Sequence, residues 1–166
     1  MGEIIKTEDS RRIFINTLNE LAENDPNIII ITCDVGFNYL DDPKNKFKVL
    51  NLGVTEASSM IIASALALSN LKPYVYSMIN FVTFRPYEMV RNAVCLHNAN
   101  VKIIGVKGSE KYKLLGFSHN LISENEEIKV LENLPNLKSF VVDDPKKVKD
   151  VILETYKINS PCYIRL

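Results

Sequence analysis

Asn51-Leu52-Gly53-Val54-Thr55-Glu56-Ala57-Ser58-Ser59 joins a short apolar strand to a helix rich in small residues. The strand spans residues 47–51. Gly53 permits a tight turn that a side chain would hinder, and Thr55 is placed to cap the helix that follows. Residues 57–69 predict a helix with Met60, Ile61, Ile62, Leu66 and Leu68 spread around it. So little polar surface predicts a buried helix, with a subunit interface as one place to bury it. Glu56 stands at the helix start and has two readings. It completes local hydrogen bonds where the helix N-terminus favours an anion, or it is a buried acid that shares a proton with a ligand nitrogen.

Towards the N-terminus, residues 9–24 predict an amphipathic helix capped by Asp9 or Ser10, with Ile13, Phe14, Thr17, Leu18 and Leu21 inward. Asn24-Asp25-Pro26 ends it. Ile28 to Thr32 is a β-branched run that does not alternate, so it suits a strand covered on both faces, as in a parallel sheet. Cys33-Asp34-Val35-Gly36 then forms an acidic turn. It has a superficial likeness to a Gly-Asp-Gly diphosphate motif but lacks the first glycine, and reads as structural. Residues 38–46 read as a charged loop.

Towards the C-terminus, Pro73 opens a strand over 74–78, and Phe81, Phe84 and Tyr87 form an aromatic cluster. Those rings are either core or the walls of a site for a flat heteroaromatic ring. A helix over 86–98 has Pro86 in its first turn, where the missing N–H costs nothing. Strands are expected at 101–106, 138–142 and 161–166, and helices at 124–134 and from Pro145 onward. The loop over 107–123 carries Lys107, Lys111, Lys113, Gly116 and His119, and loops of that length in compact domains are often functional. His119 lies among glycine, serine and asparagine and is a catalytic candidate, whereas His97 reads as structural or surface. Strands alternating with helices predict a three-layer α/β/α domain with a mostly parallel sheet of about six strands.

The chain has 166 residues, 46% of them hydrophobic, enough for the core of one domain. Basic and acidic residues number 20 each and form no basic stripe, which argues against a nucleic-acid surface. The first 12 residues have no apolar signal region, and no run is long enough to span a bilayer. Cys33, Cys95 and Cys162 are far apart in apolar surroundings and read as reduced thiols of a cytoplasmic protein. No cluster suggests a metal site, and no glycine-rich phosphate loop is present.

Together these residues resemble the central pyrimidine-binding domain of the transketolase family of thiamine-diphosphate enzymes. Asn51-Leu52-Gly53-Val54-Thr55-Glu56 is similar to the family stretch N-x-G-I-A-E-Q, with Ala57 in place of the glutamine. Phe81-Val82-Thr83-Phe84 resembles the family's aromatic pocket. The run Arg85 to Arg91 resembles R-A-F-D-Q-I-R behind it, in a chain about two residues shorter just before Arg85. Gly116-Phe117-Ser118-His119 resembles D-G-P-T-H, with Leu115 replacing the acid and Phe117 the proline. The likeness runs from Arg12-Ile13-Phe14 through Asp34 to Pro161-Cys162-Tyr163-Ile164-Arg165.

The resemblance implies a thiamine-diphosphate-binding fold in which Glu56 hydrogen-bonds the aminopyrimidine ring nitrogen and activates the cofactor. Phe84 would stack on that ring, and Phe81 and Tyr87 would complete the pocket. His119 would reach the substrate or move a proton, and Lys107, or failing it Lys111, would attract an anionic substrate. Residues 1–166 are expected to form one pyrimidine-binding domain, with the diphosphate-binding and carboxyl-terminal domains absent from this chain. The partner would then be a diphosphate-binding domain or subunit holding Mg2+, with a homodimeric contact in addition. The implied reaction is transfer of two-carbon ketol units between sugar phosphates. Alternatives are part of a deoxyxylulose-phosphate-synthase-like enzyme, a 2-keto-acid decarboxylase or dehydrogenase beta component, or a non-catalytic domain of the same fold.

Overall fold

The computed structural model describes residues 9–108 and 110–166. Six strands form one sheet: β1 (Ile28–Thr32), β2 (Lys48–Asn51), β3 (Lys72–Met78), β4 (Lys102–Val106), β5 (Lys138–Val141) and β6 (Cys162–Arg165). Their order is β2-β1-β3-β4-β6-β5, and every pairing is parallel. The helices are α1 (Ser10–Ala22), α2 (Phe37–Leu40), α3 (Glu56–Leu68), α4 (Ile79–Val82), α5 (Tyr87–Met89), α6 (Glu126–Leu131) and α7 (Val148–Tyr156). The result is a three-layer α/β/α domain.

The layers follow from side chains that alternate across each strand. Ile30, Tyr74, Tyr76, Ile104 and Ile164 face one way and pack with Phe14 and Leu18 of α1 and Val148 and Ile152 of α7. Ile31, Val75, Ile103 and Tyr163 face the other way, against Met60 and Ala63 of α3 and Leu131 of α6. Central strands β1 and β4 are buried at every position, which is why their sequences are mainly apolar runs instead of alternating, with only Thr32 and Lys102 polar.

Several elements differ from expectation. Residues 38–46 are not wholly loop, because Phe37–Leu40 makes one helical turn that buries Leu40. The stretch read as one helix over 86–98 is two pieces. After α5, residues Val90–Cys95 are π-helical, with Leu96 N–H donating to Arg91 O and Ala99 N–H to Val94 O. The wider turn leaves Val90, Val94 and Cys95 on the buried face. Thr55 stands at the cap position of α3, but its hydroxyl donates to Leu52 O and caps nothing. The long loop contains a 3-10 segment, Glu110–Ser118, broken at Gly116. Helix α3 packs with one face only: Ile61 and Leu68 are 49% and 60% exposed on the other.

Chain order reverses between β1 and β3, with β2 on one side and β4 on the other. In open parallel sheets ligands bind beyond the carboxyl ends of the strands at such a switch point. The turn after β1, the end of β3, the end of β4 and the start of α3 all meet there.

Candidate functional site

A cavity of about 580 Å³ opens at this switch point. Cys33 and Asp34 come from the turn after β1, Ser77 and Met78 from the end of β3, and Lys107 from beyond β4. Glu56, Phe81, Arg85, Tyr112 and His119 are also part of the wall. A second cavity of about 980 Å³ adjoins it and shares Lys107 and His119.

Glu56 reaches the cavity because Gly53, at φ 68°, turns the chain from β2 straight into α3. The carboxylate is 7% exposed and occupies the first residue of the helix. Its Oε1 accepts a 2.7 Å hydrogen bond from Arg85 Nη1. The same guanidinium lies 3.7 Å from the centre of the Phe81 ring. Arg85 was expected to pack behind the aromatic pocket. The chain breaks from helical geometry between α4 and α5, around Thr83 to Pro86, and turns this side chain back over Glu56 instead.

His119 meets Phe81 edge-on, with ring centres 5.0 Å apart, and lies parallel to Tyr112 at 6.4 Å. Ser118 Oγ is 2.7 Å from His119 Nδ1 and 3.0 Å from Leu115 O. The loop is tied down by two side-chain amides. Asn80 Nδ2 donates to Phe117 O and Asn120 O, and Asn120 Nδ2 donates to Tyr112 O and Gly116 O. Lys107 Nζ lies 3.6 Å from Asp143 at the rim. Asp34 shares hydrogen bonds with Asn51, which binds the two strand ends together. Cys33 donates to or accepts from Ser59 Oγ, and burial pushes its thiol up, which disfavours the thiolate.

Of the residues read from the sequence, Glu56, Phe81, His119 and Lys107 come together. Phe84 and Tyr87 are half-buried and lie outside the cavity lining; the Tyr87 hydroxyl donates to Val130 O. Ser109 and the Lys111 side chain lie outside the described residues. His97 is at the surface, bonded to the Asn92 and Ala93 carbonyls. Among the described residues no group of three or more His, Cys, Asp or Glu is placed to hold a metal ion. Nor is any described helix long and apolar enough to cross a membrane. Arg85 and Tyr112 were missed as site residues. An aromatic among the lysines of residues 107–113 was the available signal for Tyr112; Arg85 had none, since its position depends on the chain break.

Chemically, the floor of this cavity receives a planar, nitrogen-bearing hydrogen-bond donor. Arg85 is such a group. It donates to Glu56 and sits over the Phe81 ring; an aminopyrimidine ring would take the same two groups, with a proton shared between its ring nitrogen and Glu56, so the residues present fit that half of thiamine diphosphate.

The comparisons with known proteins agree with this geometry. The family described as transketolase, pyrimidine binding domain, matches residues 6–166. A solved structure of a split-gene transketolase, described as an inactive beta4 tetramer, superposes with a TM-score of 0.80 at 27% identity, over 95% of this chain and 50% of that one. One of the subunits of an apulose-4-phosphate transketolase from Phocaeicola vulgatus is 28% identical over 94% of this chain and 50% of its own length. A 1-deoxy-D-xylulose-5-phosphate synthase from Desulfitobacterium hafniense is 29% identical over 99% of this chain and 26% of its own. The fold and cavity therefore define a thiamine-diphosphate-type α/β domain. Within that class, the chain belongs to the transketolase pyrimidine-binding domain family. It spans about half the length of the first curated relatives, or less.

Proposed function

We propose that this chain is the pyrimidine-binding half of a thiamine-diphosphate-dependent, transketolase-like enzyme that transfers two-carbon ketol units between sugar phosphates. The observation that carries the reading is Glu56, a buried carboxylate beside Phe81 that already binds a flat nitrogen donor. When bound, thiamine diphosphate supplies the carbanion chemistry. Glu56 holds a proton at the pyrimidine ring nitrogen and Phe81 gives the ring a face to lie on. Arg85 leaves Glu56 to admit it. Phe84 and Tyr87 reach the ring only by a movement of the Thr83–Pro86 break.

Substrate enters past Lys107 and His119, which stand where the two cavities join. Lys107 draws in an anionic group, and His119 exchanges a hydrogen bond or proton with a substrate hydroxyl. The diphosphate and Mg2+ belong to a complementary diphosphate-binding domain or subunit, and the exposed apolar face of α3 supplies a contact between copies. Relatives described as transketolase subunits, and one solved as a tetramer, support an assembled enzyme.

The test is a two-carbon transfer assay. The chain is combined with a diphosphate-binding partner, thiamine diphosphate and Mg2+. A cofactor-dependent transfer that Glu56→Gln lowers at least about 100-fold is expected, in line with the worth of a positioned acid–base group. A complex that forms but shows no cofactor-dependent reaction favours the non-catalytic alternative.

A further inference from the structure

The Ser118 hydroxyl has one proton and two close neighbours. Leu115 O, at 3.0 Å, is a carbonyl and can only accept. The proton therefore points to Leu115. At the second contact, 2.7 Å from His119 Nδ1, the Ser118 oxygen must accept and the histidine must donate. Reversing the second bond would set the hydroxyl oxygen against the carbonyl oxygen with no hydrogen between them. The donor count thus fixes the tautomer of neutral His119: Nδ1 carries the proton and Nε2 is bare. The ring is held in this attitude by Phe81 at its edge and Tyr112 alongside. Among the described residues, no hydrogen bond engages Nε2, and His119 lines both cavities.

We infer that Ser118 is a positioning residue that locks neutral His119 as the Nδ1–H tautomer, so that Nε2 accepts a hydrogen bond or proton from a hydroxyl of the substrate. This rests on the transketolase-like reading of the site and adds the residue that decides which nitrogen His119 turns to the substrate. A bare nitrogen welcomes an O–H donor and repels a carboxylate. The substrate group at this position is accordingly an O–H donor. The backbone bonds of Asn80 and Asn120 keep Ser118 and Leu115 in register for this purpose.

The experiment is a long-range proton–nitrogen correlation spectrum of the nitrogen-labelled chain, at a pH about two units above the ordinary histidine value of roughly 6.5. The chain has two histidines, which makes assignment simple. His97 serves as an internal reference, because its Nδ1 lies 3.0 and 3.1 Å from two carbonyls and must also donate. Both rings are expected to show protonated Nδ1 and bare Nε2. Ser118→Ala should shift His119 alone towards a mixture of tautomers, while Ser118→Thr, which keeps the hydroxyl, should hold the original pattern. A wild-type His119 with its proton on Nε2, or a His119 pattern unmoved in Ser118→Ala, overturns the inference. A variant that fails to fold is recognised by loss of the His97 pattern, and Ser118→Gly, which also removes the hydroxyl, then makes the same comparison.

In the assembled enzyme, Ser118→Ala should lower kcat roughly tenfold or more, with activity restored by Ser118→Thr. Full activity in Ser118→Ala after loss of the tautomer overturns the catalytic part. An inactive wild-type assembly would strike the transketolase-like reading instead, and the spectrum would still decide the tautomer.

Discussion

Arg85 uses its guanidinium on two groups at once, the Glu56 carboxylate and the Phe81 face. On the proposed reading an aromatic cofactor ring needs both, so Arg85 and the ring would compete. The arginine side chain is 42% exposed, and its ion pair is discounted for solvent screening to about 0.5–1 kcal/mol. Arg85→Ala is therefore predicted to tighten thiamine diphosphate binding by roughly two- to fivefold in a cofactor titration of the assembled enzyme. Weaker binding would mean that Arg85 helps to hold the cofactor. Glu56, Phe81, Lys107 and His119 were legible in the sequence because each follows a strand end or a turn whose position the local pattern specifies. Arg85 was not legible, since the break over Thr83 to Pro86 in the helical path decides which way it points. The Ser118–His119 pairing was equally hidden: adjacent residues announce nothing until the loop backbone sets their rotamers.

At the scale of elements, the two N-terminal caps make a contrast. Asp9 accepts from Arg11 N–H and caps α1 as the sequence suggested. Thr55 occupies the same position before α3 but bonds to Leu52 O. Asp9→Ala should cost about 1–2 kcal/mol in urea unfolding, the usual worth of a lost cap. Thr55→Ala should cost about half a kcal/mol, the worth of one exposed neutral hydrogen bond. Equal losses would show that Thr55 caps after all. The β1 strand was legible to the residue, because a β-branched run buried on both faces has no competing pattern. The π-helical turn over Val90–Cys95 was not. It keeps an apolar period close to that of an α-helix, and the change of bonding from four residues to five leaves no mark on composition. Four-residue α2 was lost among charges for a similar reason: one turn is too short to show a period.

For the molecule as a whole, burial of acidic protons predicts an alkaline limit to stability. Burial pushes Cys95 up to about 11, and Cys33, Cys162, Tyr74, Tyr76 and Tyr163 are likewise raised, chiefly by desolvation. In the unfolded chain the thiols release protons near 9.0 and the phenols near 10.0, while the folded chain keeps them. Their stabilisation is therefore complete below those values and is lost as the pH climbs above them. Lys102 runs the other way. Burial lowers it to about 8, which relieves a cost as the pH rises towards 10.5, but it is one group against six. Urea midpoints should fall from about pH 9 upward, with Cys95 alone contributing on the order of 3 kcal/mol once it is passed. A flat or rising profile would contradict these environments.

The sheet order and three-layer packing were legible only in outline, since the apolar runs specify strands but not which neighbours they choose. On the proposed reading the site at the switch point is half of a larger one, and the central claim concerns Glu56. The most direct test needs no knowledge of the substrate. Exchange of the thiazolium ring proton of bound thiamine diphosphate with heavy water is followed by quenched-flow NMR in the assembled enzyme, for wild type and Glu56→Gln. Exchange far faster than in free cofactor, slowed at least about 100-fold by the substitution, is the predicted result. Equal exchange in the two proteins, with cofactor bound to both, would contradict the role given to Glu56.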